Sequence, residues 1–293
     1  MLELNTKSEK VIPLDFETLR ASQPENDVEG KPIGGLRHWD VIADIMNVCE
    51  DYGYETNIRD MWAANNRDSF RPGISLLPEM VEQYGETAPQ SHIIRRVYTT
   101  ITLGDNRKGE YCTAIAIAFQ QMGVQIAIGP NVHICHNQSV LSADDMISNF
   151  GPSKIRRNNS DYSESPQPFY RKRLDTWMEN LMATSDGWDD FIKEMKTTIL
   201  SRYDINQWLG ELYSRRVTND LADKEIPKPY APFTHSQLNR FSEGIIESYF
   251  RTGEMDAWKF ANHGTNIFKP KSADMPTILP SNAALFDFIK EKL

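Results

Sequence analysis

The sequence predicts an α+β protein: an antiparallel β-sheet with flanking helices, followed by a mostly helical C-terminal half. Two observations carry this. Between residues 92 and 136 apolar and polar residues alternate with period two, interrupted only by turn-forming stretches. From residue 169 onward the apolar residues recur at steps of three and four, the period of a helix. No run approaches the ~18 to 20 apolar residues of a membrane span, and "MLELNTKSEKVIPLDFE" lacks the apolar core of a signal peptide. A cytoplasmic chain with no membrane partner is therefore expected.

Taken in order, residues 1–35 are polar, end in "EGKPIGG", and read as a flexible N-terminal arm. "HWDVIADIMNVCEDYG" then places Trp39, Ile42, Ile45, Met46 and Cys49 on one helical face, with Gly53 as the stop. "YETNIRDMWAA" reads as a first strand. Residues 64–91, with Pro72, Pro78 and Pro89, read as a long excursion with at most one helical turn. "HIIRRVYTTITL" is the strongest strand, and "GDNRKG" turns it into "YCTAIAIAF". That strand sets Tyr111, Thr113, Ile115, Ile117 and Phe119 against a face of only Cys112, Ala114, Ala116 and Ala118. "VQIAI" follows and resumes as "VHICH", with Gly129-Pro130 implying a bulge or bend. "SVLSADDMISNF" reads as a helix closed by Gly151.

Helices are then expected through Leu174–Met182, after Asp186, after Asp204, and from a Thr234/Gln237 capping box. A last one starts at Ser281. "EIPKPYAPF" reads as a rigid extended connector. The expected organisation is thus an arm (1–35), an α+β core domain (36–151), a basic loop or linker (152–170), and a mainly helical region packing on the core (171–293).

Three cysteines, each in an apolar pattern, read as buried thiols rather than a disulfide framework. "PNVHICHNQSV" raises the question of a metal or catalytic site. On a strand His133 and Cys135 share one face and His136 the other, so the three cannot converge on one ion. Paired spacings such as C-x₂-C or H-x₃-H are absent. No GxGxxG after a strand, GxxxxGK[ST], GxSxG or HExxH occurs. Asp144-Asp145 and Asp189-Asp190 read as acidic pairs in first turns of helices, and Glu243 and Glu247 as a solvated face. Nothing demands catalysis, and no cofactor or metal is expected.

The net charge of −9 argues against a surface generally coated by nucleic acid. One segment stands apart. "KIRRNNSDYSESPQPFYRKR" carries six basic residues, Lys154, Arg156, Arg157, Arg171, Lys172 and Arg173, against two acidic. With Tyr162, Phe169 and Tyr170 interleaved, it has the composition of a single-strand-binding segment. It reads equally as a solvated loop between the two halves.

A hairpin with a polar turn, then an apolar strand ending in Cys135-x-Asn137, is spread over "GDNRKGEYCTAIAIAFQQMGVQIAIGPNVHICHNQSVLSA". Near the C-terminus "DAWKFANHGTNIF" adds Trp258, Asn262 and Thr265 in a W-x₃-N-x₂-T pattern. Together these resemble a phage/plasmid-like family of unknown function found on bacterial mobile elements. The family often places an arginine just before the cysteine. Val132 and His133 stand there in this chain, so an anion-binding role is not carried over to that point. The resemblance implies work on phage or plasmid DNA in the host cytoplasm, or interference with a host defence protein. The helix–sheet–helix order is also topologically similar to Rad52-like single-strand annealing proteins, which implies single-stranded DNA as partner and a homo-oligomeric assembly.

Overall fold

The computed structural model describes residues 11–21, 37–64, 70–72, 92–94, 96–107, 111–120, 123–132, 137–138, 146–150, 170–221, 231–268 and 278–293. The chain is α+β. Its first half holds strands β1 (Val11–Pro13), β2 (Thr56–Ala64), β3 (Phe70–Pro72), β4 (His92–Ile94), β5 (Val97–Arg107), β6 (Tyr111–Gln120), β7 (Gly123–Val132), β8 (Asn137–Gln138) and β9 (Met146–Phe150). Helices α1 (Phe16–Ala21) and α2 (His38–Asp51) accompany them. The second half holds α3 (Arg171–Thr197), α4 (Arg202–Leu221), α5 (His235–Thr252), α6 (Ala257–Ile267) and α7 (Ile278–Lys290).

The main sheet runs β1-β2-β5-β6-β7-β8, with β9 also on β7, and β3-β4 form a separate pair. Every pairing is antiparallel. Strict alternation sorts the central side chains onto two faces. Val97, Thr99 and Ile101 of β5, Ile115, Ile117 and Phe119 of β6, and Val124, Ile126 and Ile128 of β7 share the large-residue face. Helix α2 covers it, with the His38 ring stacked on Phe119 at 4.2 Å. Helix α3 packs against both α2 and β7. The other face carries Tyr98 and Thr100, Ala114, Ala116 and Ala118, then Gln125, Ala127 and Asn131, all buried.

In the helical half Phe233 is stacked between Phe241 (4.6 Å) and Phe268 (4.8 Å), while Trp208 meets Phe260 and Phe288 edge-on. The Thr234/Gln237 capping box is formed, and Gly253 closes α5 at φ 73°, a left-handed conformation that glycine adopts without a Cβ penalty. One continuous apolar core links Val41 and Phe119 to Leu174, Trp208 and Phe288.

Several expectations need correction. Met146–Phe150 is a strand, not part of a helix, because the outer edge of β7 offers unpaired backbone that "MISNF" completes from Gly123 to Ala127. Gly129-Pro130 makes no bulge: β6 and β7 pair without a shift over ten residues, and the irregularities fall at Ile58/Asp60 and Thr102/Asn106 instead. Part of the expected arm is ordered, since β1 pairs with β2 and Leu19 of α1 is fully buried. Strand β5 runs through much of the expected "GDNRKG" turn. Asp186 starts no new helix. Helix α3 is continuous, so Asp189-Asp190 lie in its interior rather than a first turn. Helix α4 begins at Arg202, capped by reciprocal bonds between Ser201 and Asp204.

Candidate functional site

The described end of the basic segment is the first turn of α3. Tyr170 precedes the helix with no side-chain cap, and no acidic residue stands in the first turn. This reverses the usual arrangement, because the positive end of the helix dipole favours anions. One anion is supplied from α2. The carboxylate of Asp44 accepts from the Tyr170 hydroxyl at 2.9 Å and from the Arg171 guanidinium at 2.6 Å. Asp51 stands 4.0 Å from the same guanidinium. The Tyr170 ring is 2% exposed.

Tyr170 is therefore a core residue that ties α3 to α2, and the expectation that it stacks on a base is corrected. Arg171 is committed to Asp44 in the same way. Lys172 and Arg173 are exposed. Lys154, Arg156, Arg157, Tyr162 and Phe169 lie outside the described residues, as do His133, Cys135 and His136. Acidic charge also gathers beside the anchor: lost hydration, then Glu179 and Asp175, raise the hydroxyl pKa of Tyr52.

Of the residues that carry the resemblance, Asn137, Trp258, Asn262 and Thr265 are described. Asn137 lies on β8 opposite Val132. Helix α6, with Trp258, Asn262 and Thr265, runs against β8 although some 120 positions separate the two in sequence. Trp258 lies 6.5 Å from Phe286, and the Lys196 ammonium sits over its ring at 5.9 Å. Thr265 is buried and donates to the Asn262 carbonyl at 3.1 Å. The side-chain oxygen of Asn262 is buried without a hydrogen-bond partner.

A second polar constellation was invisible in the sequence. Arg59, at the irregularity in β2, donates to the side-chain oxygen of Asn131 on β7 at 2.8 Å. Three strand spacings separate these strands, about 14 Å in a flat sheet, roughly the reach of both side chains fully extended. The two residues also stand in different rows of the register. The sheet must therefore curl about its alanine face, and the small side chains there admit the curl. Two bulges supply it.

The surface adds an aromatic and apolar patch where α4 begins and α5 ends. Ile199, Tyr203 and Phe250 are 63%, 73% and 70% exposed, and the Arg202 guanidinium lies 5.8 Å from the Phe250 ring. Among the described residues no cluster of three or more His, Cys, Asp or Glu is placed to hold a metal ion, and no helix is long and apolar enough to cross a membrane. Comparison of the chain with protein-family models, curated sequences and solved structures yields no match.

Proposed function

We propose that the protein is a non-catalytic, cytoplasmic accessory protein of a phage or plasmid that binds single-stranded DNA during recombination or replication. The observation that carries this reading is the first turn of α3, with no side-chain cap and no acidic residue, where Lys172 and Arg173 are exposed and Arg171 and Tyr170 anchor the turn to Asp44. A helix N-terminus bearing cations is an anion site twice over, through its backbone N–H groups and through its charge. The remaining contacts in this reading come from Lys154, Arg156 and Arg157 to phosphates and from Tyr162 and Phe169 to bases. Several copies act together on one strand, because so short a cationic face covers few nucleotides.

The test is a titration with labelled single-stranded DNA at several salt concentrations. Each phosphate contact contributes about 0.7 to the slope of log affinity against log salt. Lys172→Ala with Arg173→Ala is expected to weaken binding and flatten the slope by about 1.4. Tyr170→Phe is expected to leave the slope unchanged. Absence of binding by the wild-type protein at low salt would sink the DNA reading, leaving a host defence protein as the partner. The exposed Tyr203 and Phe250 favour that second reading, since aromatic side chains flanked by arginine are typical anchors of protein interfaces.

A further inference from the structure

We propose that Asp44 and Asp51 of α2 form an autoinhibitory contact that withholds Arg171 from the phosphates of single-stranded DNA. The inference rests on the DNA reading above and adds a restraint built into the same site. Arg171 is the first residue of α3, and its guanidinium faces α2. One terminal nitrogen donates to Asp44 Oδ1 at 2.6 Å, and the other lies 4.0 Å from Asp51 Oδ2. Arginine grips phosphate through the same planar fork of nitrogens. With a carboxylate against each, the fork is taken up within the chain. The second oxygen of Asp44 accepts from the hydroxyl of Tyr170, whose ring is 2% exposed, so the carboxylate cannot turn away without breaking a bond at a buried residue.

The neighbouring charges act in the same direction. Tyr52, which follows α2, donates its hydroxyl to Glu179, and both Asp175 and Arg171 stand close enough to bias its ionisation. The seam around Arg171 therefore gathers four carboxylates, Asp44 and Asp51 from α2 and Asp175 and Glu179 from α3. At about 0.1 M salt their repulsion of a polyanion extends about 10 Å. The side chains of Arg171 and Asp44 keep 27% and 29% of their surface exposed. An ion pair so placed is weak, so one substitution can lift the restraint.

The test compares the salt dependence of binding to labelled single-stranded DNA among variants. Asp44→Asn keeps an acceptor for the Tyr170 hydroxyl and removes the charge that holds Arg171. It is expected to bind more tightly than wild type and to steepen the slope of log affinity against log salt by about 0.7, one added phosphate contact. Adding Arg171→Gln to Asp44→Asn should return the slope to the wild-type value. Glu254→Gln changes the net charge equally near the opposite end of α3, about 40 Å away for 27 helical residues, and should leave the slope unchanged. If Asp44→Asn melts well below wild type, Asp51→Asn carries the test, because it leaves the Tyr170 bond intact, and a smaller gain of the same sign is expected. Wild-type binding with no gain in either aspartate variant overturns the proposal and leaves the DNA reading standing. A gain that survives Arg171→Gln overturns it as well, since the altered net charge alone then accounts for the gain. Binding by none of these proteins at low salt overturns both.

Discussion

His38 shows how strongly a single side chain's setting can change its chemistry. At the first residue of α2, stacked on Phe119, it loses hydration, and burial pushes its pKa down to about 3. The unfolded chain binds a proton near pH 6.5, but the folded chain binds it only near 3. Stability is therefore complete above about 6.5 and is lost as pH falls between those values. His38→Phe keeps the ring contact and removes the titration. Urea midpoints measured from pH 7.5 to 4 should fall less steeply for this variant than for wild type, and equal slopes would refute the assignment. Asp204 and Glu211 also favour their charged forms, through hydrogen bonds from Ser201 and from Lys292 respectively. Their losses come at lower pH and are common to both proteins, so the difference isolates His38.

Elements were legible where local periodicity and tertiary environment agree. Helix α2, strand β6 and the capping box of α5 match their patterns, since α2 and β6 have faces buried by the core. The failures share a cause: the deciding partner is remote in sequence. "MISNF" fits a helix or a strand on local grounds, and the free edge of β7 decided it. The site behaved likewise. Nothing near Tyr170 announces that its hydroxyl meets Asp44, 126 positions earlier. The exposed pair Ile246 and Phe250 was detectable, because both fall off the core stripe of α5, which runs through Leu238, Phe241 and Ile245. At this scale α6 and α7 offer a paired prediction. A Cβ at Gly264 would come within 2.3 Å of Leu285 Cδ2 and 3.3 Å of Phe233 Cζ, both residues buried. Gly264→Ala should therefore lower stability by about 1 to 2 kcal/mol, overpacking outweighing the gain in helix propensity. Gly210→Ala in α4 meets nothing within 4 Å and should raise stability by about 0.5 to 1 kcal/mol. Chemical denaturation of the two variants reads both signs.

At the scale of the whole molecule, one continuous apolar core runs through the sheet and the helical half. Helix α3 lies on α2 and β7 and also packs on α6, while Asp44 holds its first turn. Removing the helical half would uncover the surface of β7 and α2 against which α3 packs. The two halves should then unfold together. Two probes can follow them separately. Cys49 on α2 reports the first half, since burial pushes its thiol up to about 12 and protects it from reagents while the fold holds. Four of the six tryptophans, Trp177, Trp188, Trp208 and Trp258, report the second. In urea, thiol exposure at Cys49 and tryptophan fluorescence should give coincident transitions, the signature of one cooperative unit. A chain cut after residue 151 should show no cooperative transition at all. If Cys49 becomes reactive well before the fluorescence changes, or if the shortened chain unfolds cooperatively, the halves are independent domains and the α3 seam is only a docking contact.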